Sequence, residues 1–262
     1  FTDSSSNAHT VTAVGDAKHQ PPFKKIGTSS MYFDGTGDYL RIPKTSDFNW
    51  TSSDFTIESW VYINSMPSVD VHILGQYLGS TSGNPSGMYF YGGSGGAAGA
   101  VGCGRAALNE IASSAGQITA GQWYHLAWVK NGSTTKIYQN GTEVASGTTA
   151  VWVDHANEIN IGKATDSLNG YLDEIRVSNT ARYTANFTPS TTAFTSDTNT
   201  VLLIHGDSTN PQTQVGQSVG TAIGNMTDAG GLASAFDGAK LNQGSTSNGA
   251  RSTVDGAGTI GK

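Results

Sequence analysis

The chain has 262 residues and a formal net charge of −6 at pH 7; 34 residues are glycine, 36% are hydrophobic and only 13% are charged. That charged share is about half of the roughly 25% usual in globular domains, and no segment carries the periodicity of an amphipathic helix, so an α/β architecture is disfavoured. The acidic balance, without any Lys/Arg cluster, leaves no electrostatic footprint for DNA or RNA. No apolar run approaches the about 20 residues of a membrane helix, and the lone Cys103 cannot form an internal disulfide. The first residue is Phe1, with neither an initiator Met nor a signal-like segment ahead of it, as expected of a processed product or an internal fragment.

From about residue 30 the sequence reads as strands separated by turn clusters. Phe55-Thr56-Ile57-Glu58-Ser59-Trp60-Val61-Tyr62 is rich in β-branched and aromatic residues, as strands prefer. Residues 79–121 are interrupted by Gly92-Gly93-Ser94-Gly95-Gly96 and read as long loops and short strands, with a helical turn between Ala106 and Ala115. Trp123 to Lys130 closes on Asn131-Gly132; Lys136 to Gln139 meets Asn140-Gly141 and continues as Thr142 to Ala145. Asn-Gly between two such runs is a strong hairpin signal, because both residues tolerate positive φ. A three-stranded antiparallel meander over 123–146 follows. Further strands are expected at Glu158–Gly162, Gly170–Val177 and Thr200–His205. Many short strands with regular turns imply a sandwich or barrel. Trp60, Trp123 and Trp128 are expected to be largely buried in it.

Beyond about 207 the composition turns to Gly, Ser, Thr and Asn with few large apolar residues. Residues 208–262 are therefore expected to form no core of their own, serving as a connector or the truncated start of a second β-sandwich module. Ser234-Ala235-Phe236-Asp237-Gly238 loosely echoes Met31-Tyr32-Phe33-Asp34-Gly35, the spacing of one module.

Four stretches, in this order, carry a family resemblance. They are Phe33-Asp34-Gly35 followed by Asp38-Tyr39-Leu40; Asp54 to Val61; Gly121-Gln122-Trp123-Tyr124-His125-Leu126-Ala127 running to Asn140-Gly141; and Gly170-Tyr171-Leu172-Asp173-Glu174-Ile175-Arg176-Val177. Together they resemble the laminin-G-like jelly-roll family of the concanavalin A-like lectin/glucanase superfamily, over roughly residues 1–207. The resemblance implies an all-β fold, a two-sheet antiparallel β-sandwich (jelly roll) over 1–207. Leu202-Leu203-Ile204-His205-Gly206-Asp207 and Phe1-Thr2-Asp3-Ser4-Ser5-Ser6-Asn7 are similar to the end and beginning of modules in tailed-phage structural proteins. The tail from Leu232 is similar to the start of a discoidin-like module. Family members often hold Ca2+ at the rim, and the positions this implies here are Asp34, Asp38 and Asp173, with Asp34 and Asp173 close together. Turn chemistry alone also explains Asp-Gly and Gly-Asp.

The residues argue against catalysis. A glycosidase needs two carboxyl groups flanking the scissile bond, and Asp173 and Glu174, adjacent on a strand, are expected to face opposite sides. Glu58 is expected to be a paired structural residue, His125 a hydrogen-bonded core histidine, and Cys103 a small buried residue. The six histidines show no metal-site spacing. For sugars, aromatic rings stack on pyranose faces while Asn and Asp take hydroxyl hydrogens. Two clusters fit: Trp152, Asp154, His155 and Asn157 in one loop, and Tyr89 with Tyr91 beside the Gly-rich stretch. For both, core packing is the competing reading.

The function expected is a non-catalytic structural and adhesive module of a virion surface, in a tail fibre or capsid-attached protein. Its partners would be other virion or surface-assembly subunits, in a homo-oligomer or larger assembly, and cell-surface glycans. The alternative is an extracellular lectin-like module of a bacterial adhesin or a modular carbohydrate-active enzyme.

Overall fold

A computed structural model provides the fold. It describes residues 1–208 except 52, 77–85, 93–96, 106–107, 149–151, 153, 155 and 164–165. The expectations for 209–262, including the Ser234–Gly238 echo and the discoidin-like segment, lie outside the described residues.

Among the described residues fifteen strands run in chain order: β1 (Thr12–Val14), β2 (Lys18–Gln20), β3 (Ser30–Asp34), β4 (Tyr39–Ile42), β5 (Phe55–Ile63), β6 (Val71–Gln76), β7 (Ser86–Phe90), β8 (Val101–Arg105), β9 (Leu108–Ala112), β10 (Trp123–Asn131), β11 (Thr134–Gln139), β12 (Thr142–Gly147), β13 (Ile159–Ile161), β14 (Asn169–Ser178) and β15 (Thr200–Ile204). One sheet has the order β1-β4-β13-β6-β7-β8-β9 and the other β12-β11-β10-β5-β14-β3-β2, with β15 also paired to β14. Pairing is antiparallel throughout. The expected two-sheet sandwich is thus the fold. The helical turn expected between Ala106 and Ala115 is instead strand β9 over Leu108–Ala112, whose Ile111 joins the core. No helix of the described residues is long and apolar enough to cross a membrane.

Alternation along the strands builds the core between the sheets. On β5, Phe55, Ile57, Val61 and Ile63 point inward; on β10, Tyr124, Leu126 and Trp128 do. Trp128 is fully buried, and its indole N–H donates to the Gly102 carbonyl of the opposite sheet at 3.0 Å. Trp60 is also buried. Trp123, expected to be buried, is only half-buried, because it shares the outward phase of β10 with His125 rather than the inward phase of Trp128.

The outer face of the eight-stranded sheet is also covered. Ala181, Tyr183 and Phe187 pack on Ala127, Val129 and Tyr138 there. This explains why β5 and β10 read as nearly continuous apolar runs. The β11–β12 hairpin turns on Asn140 (φ 50°) and Gly141 (φ 82°), as Asn-Gly predicts. A Cβ at Gly141 would collide with the Phe187 carbonyl, so this glycine also admits the covering segment.

Strand β14 carries one extra residue. Asp173 pairs with Trp60 but Arg176 pairs with Glu58, and Glu174 has φ 53°, a β-bulge. Leu172 and Ile175 both point into the core, so Asp173 and Glu174 between them share the outer side. The expected opposite orientation is therefore corrected, because strict alternation fails at a bulge. Asp173 Oδ2 accepts from the Lys25 and Ile26 amides at 2.8 and 3.0 Å. Its Oδ1 has no hydrogen-bond partner among the described residues. Glu174 accepts from the Phe194 amide at 2.6 Å and contacts His205 Nδ1 at 2.8 Å.

Two outcomes follow. Trp128→Ala should lower unfolding free energy by about 3–5 kcal/mol in denaturant melts, since it removes the largest core side chain and strands the Gly102 carbonyl. Burial pushes the Asp173 carboxyl up to about 7, so the folded state holds a proton that the unfolded chain has released. Stability from this group is present at low pH and is lost as pH rises through about 7. His205, raised by its bond to Glu174, loses stability in the same direction. Thermal melts across pH 5–8 should therefore show a steeper fall for wild type than for Asp173→Asn, and equal slopes would contradict the assignment.

A polar cleft as the candidate functional site

The residues singled out in the sequence are dispersed. Asp34 is exposed and accepts from the Thr36 amide at 2.7 Å, a turn of its own making. Asp38 is buried, its oxygens taken by the Asp34 and Asp16 amides at 2.9 and 2.5 Å. Asp34 pairs with Asn169 on β14, four residues from Asp173, or about 13 Å along the strand. The expectation that Asp34 and Asp173 lie together is corrected: each carboxylate closes a different backbone turn. Among the described residues no three His, Cys, Asp or Glu side chains converge on a cation site.

The two sugar clusters read from the sequence also take other roles. Trp152 is a core residue, packed edge-on against Phe55 at 4.9 Å, and so offers no stacking face. Asp154 forms an ion pair with Lys44 at 2.6 Å, Asn157 is exposed, and His155 lies outside the described residues. Tyr89 is buried against His72, and both it and the half-buried Tyr91 donate to Glu110 Oε1, Tyr91 at 2.6 Å. Burial first, then the carboxylate, pushes both phenols above their usual range.

The buried charges are structural. Glu58 Oε1 accepts two bonds from Arg176 at 3.0 and 2.8 Å, while Oε2 accepts from Tyr183 at 2.8 Å and faces His125 Nε2 at 3.2 Å. Burial alone would raise this carboxyl; His125 and Arg176 hold it below its usual value. Glu58 and His125 thus have the paired, fully buried roles expected. Cys103 is buried in the core, and burial pushes its thiol far above the usual range.

A concavity of about 500 Å3 opens at the end of the sandwich where β5 begins and β14 ends. That volume falls in the range of about 300–1,000 Å3 typical of small-ligand sites. Its apolar floor is Trp50, Phe55, Val177 and Val201, all core residues. Its walls are hydroxyls, amides and two carboxylates, with Asn7, Asp47, Asn49, Asp54, Asn179 and Thr198 the chief polar groups; among the described residues no Lys, Arg or His lines it, though His9 Nε2 lies 3.5 Å from Asp47 Oδ2, Lys130 Nζ donates to the Ser53 carbonyl at 3.1 Å, and Arg182 donates to Ser178 Oγ and Thr200 Oγ1 at 2.5 and 3.2 Å. The polar walls are held from behind. Asp47 Oδ2 accepts from Asn7 Nδ2 at 3.2 Å and from Thr45 Oγ1 at 3.3 Å; Asn49 Oδ1 accepts from the Thr51 amide and hydroxyl; Asp54 Oδ1 accepts from the Gly132 amide at 2.7 Å. Four separate segments supply the lining, so no local motif announced it. The one signal was the alternation of polar and aromatic residues in Ser46-Asp47-Phe48-Asn49-Trp50.

A family profile described as the concanavalin A-like lectin/glucanases superfamily matches residues 34–186. Among solved structures, the binding domain of botulinum neurotoxin serotype G aligns with a TM-score of 0.51 at 14% identity, over 69% of this chain and 45% of that one. The binding domain of botulinum neurotoxin DC in complex with SialylT aligns with a TM-score of 0.50 at 12% identity, over 70% and 46%. Domain 4 of AbnA, a GH43 extracellular arabinanase from Geobacillus stearothermophilus in complex with arabinotriose, aligns at 20% identity over 66% and 83%, with a TM-score of 0.47. The chain spans under half the length of the two neurotoxin chains. The two neurotoxin likenesses are to the fold. No curated protein matches the chain.

Proposed function

We propose that this chain, which belongs to the concanavalin A-like lectin/glucanases superfamily, is a non-catalytic glycan-binding module of an extracellular surface assembly, with the sugar held in the polar cleft. The observation that carries the reading is the lining of that cleft. A glycan presents hydroxyls that both donate and accept, and Asn side chains answer both needs at once. The side chains described in the lining include two carboxylates and no base, while the nearby Lys130 and Arg182 are engaged by lining oxygens and His9 by Asp47, which favours neutral sugars over sialylated or sulfated ones. The floor belongs to the packed core, so the cleft is preformed and little ordering is required on binding.

A hydrolase would need a protonated and an ionised carboxyl poised across the substrate. Asp47 and Asp54 are already engaged in loop hydrogen bonds, and Glu58, Asp173 and Glu174 are buried elsewhere.

The setting we propose is a virion surface, in a tail fibre or capsid-attached protein, with neighbouring subunits as partners. Support comes from the two phage-like segments lying side by side. Ser4 N donates to the Leu203 carbonyl at 2.7 Å, and Leu203 N donates to Asp3 Oδ1 at 2.9 Å.

A glycan array followed by calorimetry tests the cleft. At least one neutral oligosaccharide should bind; Asn49→Ala and Asn179→Ala should each weaken it roughly fivefold, the worth of about one hydrogen bond, and Ser53→Trp should block it. Binding that survives Ser53→Trp, or an array on which only anionic glycans respond, would overturn the assignment.

A further inference from the structure

We propose that the cleft reads the hydrogens of sugar hydroxyls. Its specificity-determining atoms are Asn7 Oδ1, Asp47 Oδ1 and Asp54 Oδ2, and its ligands are saccharides with unsubstituted hydroxyls at the seated positions, their O-methylated and O-acetylated forms being rejected. This rests on the glycan reading of the cleft and names the sugar chemistry that the cleft selects.

The floor cannot set this preference. Trp50, Phe55, Val177 and Val201 are all buried, so they offer a ligand little apolar face, and recognition falls to the polar walls.

The framework behind the walls fixes which end of each polar group is left for a ligand. Asn7 Nδ2 donates to Asp47 Oδ2 at 3.2 Å and to the Val201 carbonyl at 3.4 Å. Both partners are acceptors, so the amide cannot turn round, and its Oδ1 is the end left over. Asp47 Oδ2 is taken by Asn7 and Thr45, with His9 Nε2 on that same oxygen at 3.5 Å. Asp54 Oδ1 is taken by the Gly132 amide at 2.7 Å. Among the described residues neither Asp47 Oδ1 nor Asp54 Oδ2 has a hydrogen-bond partner, and a carboxylate oxygen can only accept.

Against these three fixed acceptors stands one fixed donor among the described residues. Asn49 Oδ1 accepts from the Thr51 amide and hydroxyl at 3.1 and 2.7 Å, which leaves its Nδ2 for the ligand. The Thr200 hydroxyl is spent, since it accepts from the Asp197 amide at 3.0 Å and donates back to Asp197 Oδ1 at 2.8 Å. The neighbouring cations are committed as well: Arg182 holds Asp197 through two bonds of 3.0 and 2.7 Å, and Lys130 holds the Ser53 carbonyl. The serine hydroxyls and Thr198 can turn to either role and so do not change the balance.

A wall weighted toward acceptors wants donors opposite it, and on a neutral sugar those are free hydroxyls. Methylation or acetylation of such a hydroxyl removes its only hydrogen. The ether or ester oxygen then faces a carboxylate oxygen that has lost its water and gained no bond, and this repels the substituted sugar beyond any loss of fit.

Fluorine separates a lost donor from a lost fit, because it is smaller than a hydroxyl and cannot donate. Saturation-transfer NMR titrations with the methyl glycosides of glucose, galactose and mannose, and with their singly fluorinated and singly O-methylated forms, test the proposal. At least one parent glycoside should bind. At one or more of its positions fluorine and methoxy should each weaken binding roughly tenfold. In Asp54→Asn and Asp47→Asn the side-chain oxygen can keep its framework bonds and turn Nδ2 to the ligand, so an acceptor becomes a donor. Each folded variant should bind the parent more weakly, and at least one should narrow the gap between hydroxyl and fluorine at a sensitive position.

Three results would each overturn the proposal: fluorinated forms that bind as well as the parent at every position, a hydroxyl-to-fluorine gap unchanged in both folded variants, or no binding by any parent glycoside. The first two leave the glycan reading of the cleft standing. Silence on the glycan array as well would remove both.

Discussion

One extra residue in β14 sets the phase of everything on the outer face of the larger sheet. Before the bulge, Tyr171 stands in register with Tyr32 and Tyr62; after it, Arg176 stands in register with Glu58. Strict alternation would turn Ile175 outward and Arg176 into the core, because a shift of one residue flips every side chain beyond it. With the bulge, Ile175 stays inside and Arg176 meets Glu58 on the covered outer face. The strand thus keeps two outward sets in phase with the same neighbour, one aromatic and half-exposed, the other ionic and buried.

The bulge also fastens the cover. The two carboxylates it turns outward receive the amides of Lys25, Ile26 and Phe194, one covering segment from each side of the strand in sequence. Beyond the bulge, the Glu58 carboxylate is fully engaged by Arg176, Tyr183 and His125. Tyr183 comes from the second covering segment, so the ionic cluster and the cover are mutually dependent. Breaking such a buried pair from one side leaves an uncompensated charge at a cost of about 3–5 kcal/mol. The same cluster would contribute little if the cover were absent, since exposed ion pairs are worth about 0–1 kcal/mol.

Much of the fold was legible because it is local. Residues 55–62, 123–130 and 170–177 carry dense β-patterned runs, and the Asn140-Gly141 turn appears where the dipeptide stands, while the first hairpin turns one residue later, on Gly132-Ser133, with Asn131 ending β10. The bulge was not legible, since its only trace is an adjacent Asp-Glu pair inside an apolar strand, and acidic side chains at a bulge look like acidic side chains on a strand. The candidate sites were harder still. Tyr89 and Trp152 drew attention as aromatics near loops, yet one lies over a sheet and the other in the core. Tyr32, Tyr62, Trp123 and Tyr171 sit on four strands spread over 139 residues of sequence, from 32 to 171, and only the register unites them. The cleft is assembled from four segments, which no single window of sequence contains.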